Sequence, residues 1–318
     1  MDALDQIPQL ETLVLRQASP SAPRDAPLIS RTITLPFLTK FRIVASAKDC
    51  AVALAHLVLP TLTWLQVEAN CPEPEGEDVQ LLIPYIARNV YLLQDTEQLR
   101  SILIGGHSGW AVVHAWTTFN DPNLVHTSVP ADFTFTAVGS DWYPGVYTAI
   151  LDALLTLLPM NSVSILTSQN ITGLSKDFWL SHVPKWPKLE QANLGPITIK
   201  AFRDMLAEDA PPDGPRLPSL TKLVLEEVGV TVPRAYDLRD MLIERVEQGA
   251  ALEVLDLRTC VADDRAIRLL AEIVADVQEP LASRPPTPRR TRGRIKDWQN
   301  AWYPDTKDEY ELEDSDEI

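Results

Sequence analysis

The sequence predicts an α/β solenoid with one strand and one helix per unit, and three observations predict it. A short apolar phrase recurs along the chain, the segments between its copies carry apolar residues at helical spacing, and 45% of the 318 residues are hydrophobic, enough for one continuous core. The copies are Leu10-x-x-Leu13-x-Leu15, Leu38-x-x-Phe41-x-Ile43, Leu62-x-x-Leu65-x-Val67, Leu99-x-x-Ile102-x-Ile104, Leu220-x-x-Leu223-x-Leu225 and Leu252-x-x-Leu255-x-Leu257. The alternation within each copy has the period of a strand, so one face is apolar and the other is free to vary.

The phrase is the leucine-rich-repeat strand signature, and the predicted fold is an irregular leucine-rich-repeat solenoid. Its middle apolar residues are spaced by 28, 24 and 37 residues over the first four copies and by 32 over the last two, lengths that suit a strand plus a helix. Val163-x-Ile165 and Leu189-x-x-Ala192-x-Leu194 read as weakened copies between them. The repeat usually sets Asn or Cys three residues after the strand phrase, where the side chain bonds backbone in the turn. Asn70 and Cys260 stand there, while Ala18, Ser46, His107 and Val228 mark irregular turns.

Helices are expected over Asp49 to Leu57, Asp78 to Leu93, Val146 to Leu158 and Thr198 to Leu206. Asp237 reads as the N-cap of another, with Leu238, Leu242 and Val246 on one face and Gly249 just past its end. The last starts at about Asp263 and carries Ile267, Leu270, Ala271 and Val274 on one face. A strand this short cannot bury its face alone, so neighbouring units must stack. The solenoid is expected over residues 1–280, and residues 281–318 read as a disordered tail. Six cations and no acid lie between Arg284 and Lys296, in a Pro/Arg-rich linker that also resembles a nuclear-import segment. Nine acids against Lys307 follow, which leaves the tail at −2 and, from a total of −16, the body at about −14. Ile295, Trp298 and Trp302 would share one face of a short helix within the tail.

An acidic body repels phosphate backbones, so nucleic acid is not an expected partner. Cys50, Cys71 and Cys260 form no paired framework and no metal-ligand spacing, which fits reduced thiols. The first fifteen residues lack the apolar core of a signal peptide, and no run reaches membrane-spanning length. The expected location is cytoplasmic, nuclear or both, with no membrane partner, and the Asn170-Ile171-Thr172 sequon is expected to stay unmodified.

One segment suggests catalysis. Leu103-Ile104-Gly105-Gly106-His107-Ser108-Gly109-Trp110 is similar to the nucleophile elbow of α/β-hydrolases, with His126 and His182 as available bases, although Trp110 replaces the closing glycine. The competing reading is a glycine turn leaving a repeat strand, and the repeats on either side favour it. His56 and His114 sit among apolar residues and read as core or boundary histidines. Trp64, Trp110, Trp116, Trp142, Trp179 and Trp186 read as core filling. No phosphate loop, metal-ligand pair or acid pair stands out, so neither enzymatic activity nor a cofactor or metal is expected.

Three runs carry a resemblance to a known family: Leu35-Pro36-Phe37-Leu38-Thr39-Lys40-Phe41-Arg42-Ile43, Ala47-Lys48-Asp49-Cys50-Ala51, and His56-Leu57-Val58-Leu59-Pro60-Thr61-Leu62-Thr63-Trp64-Leu65. They resemble the repeat portion of F-box proteins of mushroom-forming fungi, and Leu217 to Leu223 and Ala251 to Leu257 fit the same style. The resemblance implies an intracellular protein whose repeats capture a substrate for a ubiquitin ligase, while an N-terminal F-box docks a Skp-type adaptor. Here a repeat strand follows Met1 within ten residues, so the adaptor is an expected partner only if an F-box lies upstream. A ubiquitin-independent repeat scaffold is the competing class, and a serine hydrolase using Ser108 a remote third. The expected partner-binding surface is the set of strand residues that alternate with the core: Arg16, Lys40, Arg42, Gln66, Glu68, Val224, Glu226, Asp256 and Arg258.

Overall fold

A computed structural model describes residues 4, 6–17, 32–60, 63–71, 77–94, 98–107, 109–118, 130–139, 144–208 and 214–281. The chain divides into two units, residues 1–280 and 281–318, and nearly all described residues lie in the first. The expectations for Ala18, Leu62, Ser108, His126, Trp142 and the tail beyond Leu281 fall outside the described residues.

The described part is mixed α/β, with one large sheet and seven α-helices. The strands are β1 (Thr12–Arg16), β2 (Ile33–Thr34), β3 (Lys40–Ser46), β4 (Leu57–Val58), β5 (Trp64–Asn70), β6 (Ser101–His107), β7 (Trp110–Trp116), β8 (Phe133–Val138), β9 (Ile165–Gln169), β10 (Gln191–Leu194), β11 (Lys222–Leu225), β12 (Gly229–Val230), β13 (Val254–Asp256), β14 (Val261–Ala262) and β15 (Asp276–Gln278). The helices are α1 (Ala47–His56), α2 (Glu77–Gln94), α3 (Pro144–Leu157), α4 (Lys176–His182), α5 (Ile199–Leu206), α6 (Val232–Glu247) and α7 (Asp264–Ala271). Eleven strands form the main sheet in the order β1-β3-β5-β8-β7-β6-β9-β10-β11-β13-β15.

The recurring phrase sets the register. Leu13, Phe41, Leu65, Phe133, Ala115, Ile102, Leu166, Ala192, Leu223, Leu255 and Val277 are directly paired, strand to strand, across the whole sheet. A slip of one residue would turn a strand's apolar side away from the helices, so the pattern fixes the pairing. Turns with Pro at the second position lead into several strands: Leu35-Pro36-Phe37-Leu38, Trp186-Pro187-Lys188-Leu189 and Leu217-Pro218-Ser219-Leu220. Each closes with the N–H of its last residue donating to the carbonyl of its first, at 3.1 Å.

The neighbour of β5 is β8 and not the strand carrying Ile102, which corrects the simple stacking order. β6, β7 and β8 form an antiparallel meander set into an otherwise parallel sheet, so β6 lies two places beyond its expected position. β6 and β7 form a hairpin, with His107 paired to Trp110. Gly109 has a φ of +96°, donates to the Tyr147 hydroxyl at 2.7 Å and accepts from Gly139 N–H at 2.7 Å. The segment after Ser108 is therefore a strand and lacks the helix that a nucleophile elbow requires. In β9 the paired core residue is Leu166, and Val163 precedes the strand.

Buried side chains from all seven helices join the inward strand residues in one core, so the helices pack on one face of the sheet. Several helix limits differ from expectation. α6 starts one turn and more before Asp237, behind Thr231, with Pro233 in its first turn, while Gly249 does sit past its end at φ +76°. α7 ends at Ala271, before Val274, and the seven-residue α4 was not expected from the periodicity. Ser175 caps α4, its hydroxyl accepting from Phe178 N–H at 3.1 Å.

Candidate functional site: the sheet face opposite the helices

The opposite face carries the strand residues that alternate with the core, and all nine expected partner-binding residues belong to that alternate set or, for Arg258, follow directly after it. They fall in two groups. Arg16, Lys40, Arg42, Gln66 and Glu68 lie on β1, β3 and β5, whereas Val224, Glu226, Asp256 and Arg258 belong to β11 and β13 or the residues just beyond them. Five strands separate the groups, which at ~4.8 Å per strand puts β5 and β11 about 29 Å apart.

In the first group each cation is paired in register with an apolar residue of the next strand: Arg42 with Val14, Arg16 with Val44, and Lys40 with Trp64. The Lys40 ammonium lies 4.8 Å from the Trp64 ring centre. Arg42 Nη2 stands 3.9 Å from Glu68 Oε2. Burial lifts the Glu68 carboxyl above the usual range, against the pull of Arg42 and Arg16. Arg16 and Lys40 are exposed, while Gln66 is buried.

The second group is more tightly bonded. Burial alone would raise the Asp256 carboxyl, but Arg258 donates to it through Nε, Nη2 (2.7 Å) and its backbone N–H (3.1 Å), and holds it below the ordinary carboxylate range. Gln169 Nε2 donates to Glu226 Oε2 at 2.7 Å. Val224 and Asp256, paired in register, are only 1% and 2% exposed, so these two are buried although they point away from the helices.

Between the groups lie residues that sequence reading missed. Gln191 donates to Asn193, and Asn193 to Thr167 Oγ1 at 3.0 Å, forming a polar row across β10 and β9. Next to it Leu103, Val112, Trp116 and Ala131 form a second, small apolar cluster, with Trp110 packed against it. His114 stands within this row of β7, its Nδ1 3.0 Å from Thr134 Oγ1, and burial pushes its pKa down to about 4. The signal was present: Trp110-x-Val112-x-His114-x-Trp116 alternates with Ala111, Val113 and Ala115, so β7 is apolar on both faces.

The face presents amides, guanidinium and carboxylate groups, and ring faces. Among the described residues no cluster of His, Cys, Asp and Glu suits a metal ion, and no helix is long and apolar enough to cross a membrane. A carboxylate–imidazole pair at hydrogen-bond distance, Asp152 and His182, lies on the helical side of the sheet. Its second ring nitrogen faces the Lys185 ammonium at 3.5 Å, where a nucleophilic pair would present a hydroxyl or thiol. The chain matches no known family model and no curated protein sequence.

Proposed function

We propose that this chain is a protein-recognition module of the leucine-rich-repeat type, and that it forms the substrate-binding part of an F-box-like ubiquitin-ligase receptor. The observation that carries the first statement is the wide, mostly parallel sheet whose helices all pack on one face, leaving the other lined by register-paired polar, charged and aromatic side chains. A rigid row of this kind holds its side chains at fixed spacing, which lowers the ordering cost of binding an extended surface. The second statement rests on the family resemblance of the Leu35 to Leu65 run.

Two measurements test the reading separately. The tagged chain is purified from its own organism, after the 5′ end of the transcript is mapped, and its companions are identified by mass spectrometry. A Skp-type adaptor and cullin among them support the ligase role; a different stable partner without them leaves a ubiquitin-independent scaffold. The partner is then titrated against the double variant Arg16→Glu and Lys40→Glu, two exposed cations of the open face. A loss of about tenfold or more is expected for two charge reversals in an interface, with no change for Arg265→Glu on α7. Equal affinity in all three proteins would remove the sheet face as the binding surface.

A further inference from the structure

We infer that Lys185, His182 and Asp152 form a hydrogen-bond relay that fixes His182 as the neutral Nε2–H tautomer and makes the docking of α4 onto α3 sensitive to acid. His182 ends α4 and is 0% exposed, packed against Phe178 at 4.7 Å between ring centres and stacked on Trp186 at 18° between ring planes. Both ring nitrogens have charged neighbours. Nε2 lies 2.9 Å from Asp152 Oδ1 on α3, and Nδ1 lies 3.5 Å from Lys185 Nζ in the turn Val183–Lys185. An ammonium has only protons to give, so Nδ1 must accept from it, and the ring proton must then sit on Nε2 and be donated to Asp152. Lys185 is steadied by Thr156 Oγ1 of α3, 3.2 Å from Nζ.

Acid breaks this arrangement at one atom. A proton added at Nδ1 turns the acceptor into a donor aimed at a second cation, and the contact from Lys185 is lost. Burial first, and the Lys185 charge second, hold the His182 pKa below the ordinary value, while Asp152 opposes them. α5 adds no charge here, facing the cluster with Phe202 against Trp179. Because an unfolded histidine takes up its proton at about pH 6.5, the unfolded chain binds that proton first. The stabilisation is therefore complete above that pH and is lost as pH falls below it. His114, also held low by burial, adds to the same acid loss on a different element, so the test must be resolved by site.

The test uses the full chain with ¹⁵N-labelled histidine. Two-bond ¹H–¹⁵N spectra at neutral pH should show His182 as the Nε2–H tautomer, titrating below free imidazole. Lys185→Met should raise its midpoint and Asp152→Asn should lower it; both replaced side chains reach solvent, so both proteins should fold. Hydrogen exchange, corrected for its intrinsic pH dependence, should show the α4 amides losing protection several-fold between about pH 7.5 and pH 5. In His182→Phe, which keeps a ring between Phe178 and Trp186, that loss should vanish. An Nδ1–H tautomer, a midpoint at or above that of free imidazole, midpoints unmoved by either variant, or α4 protection that ignores pH in the parent chain would each overturn the relay.

Discussion

Arg245 is the largest charged side chain buried in the core region, at 1% exposure, and its role is to satisfy a turn. Its Nη1 donates to the Arg216 carbonyl at 2.9 Å and its Nη2 to those of Leu217 and Leu220 at 3.2 and 3.4 Å, the turn that leads into β11. Burial draws its pKa down to about 10, still well above neutrality. Arg245→Met keeps the stem but removes the side-chain donor to those carbonyls, of which Leu217's keeps the Leu220 N–H, so urea unfolding should show a loss of about 1–3 kcal/mol. The thiols offer a second residue-scale prediction. Burial pushes Cys50 up to about 12 and Cys260 to about 11, so at about pH 8 the native chain should take up no thiol reagent at either position until urea unfolds it. Cys260 Sγ also donates to the Leu225 carbonyl at 3.1 Å, the backbone bond expected of that repeat position, whereas Asn70 remains exposed at the end of β5. Alternation made the orientation of Arg42 or Asp256 legible in the sequence. It did not reveal that Gln66, Val224 and Asp256 are buried, because burial depends on what lies over a residue as well as on which way it points.

At the scale of elements, the phrase and its turns were legible wherever local chemistry repeats. The start of α7 just behind Asp263 and the glycine after α6 both follow from residues within a few positions of the event. The start of α6 was misjudged because Asp237 satisfies the cap rule, while Val232-Pro233 begins the helix earlier with proline in its tolerated first turn. The β6–β7 hairpin shows how far two glycines of like conformation can differ. A Cβ on Gly109 would stand 2.7 Å from the Gly139 carbonyl oxygen, whereas one on Gly249, at φ +76°, would meet nothing. Gly109→Ala should therefore cost about 1–3 kcal/mol, from backbone strain plus displacement of Gly139. Gly249→Ala should cost only about 1 kcal/mol, the left-handed penalty. Thermal unfolding of the two variants side by side checks the difference.

At the scale of the molecule, the apolar pattern specified that strands stack with one register, but not which strand lies next to which. β8 carries Phe133, Phe135 and Ala137 on its inward face without the leading leucine of the phrase, and β7 runs the other way, so neither resembles the strands that flank the meander. Strand order here is set by two long crossings: β5 through α2 to β6, and β8 through α3 to β9, each passing over two sheet positions. β8 thus joins β5 to the meander, and Phe135, 0% exposed, lies at the middle of that seam. Phe135→Ala should cost about 3–5 kcal/mol, and hydrogen exchange should show lost protection in β5 and β7 together.

The seam also has a history during synthesis. On a ribosome, β1, β3 and β5 emerge with the outer edge of β5 bare, and the next strand made, β6, is not the one that covers it. Some sixty residues separate the end of β5 at Asn70 from Phe133, the first residue of β8, and at 5–20 residues per second that interval lasts about 3–13 s. For that time a half-made sheet presents an unpaired parallel edge, which is the condition in which a nascent chain depends on a chaperone or pairs with the wrong strand.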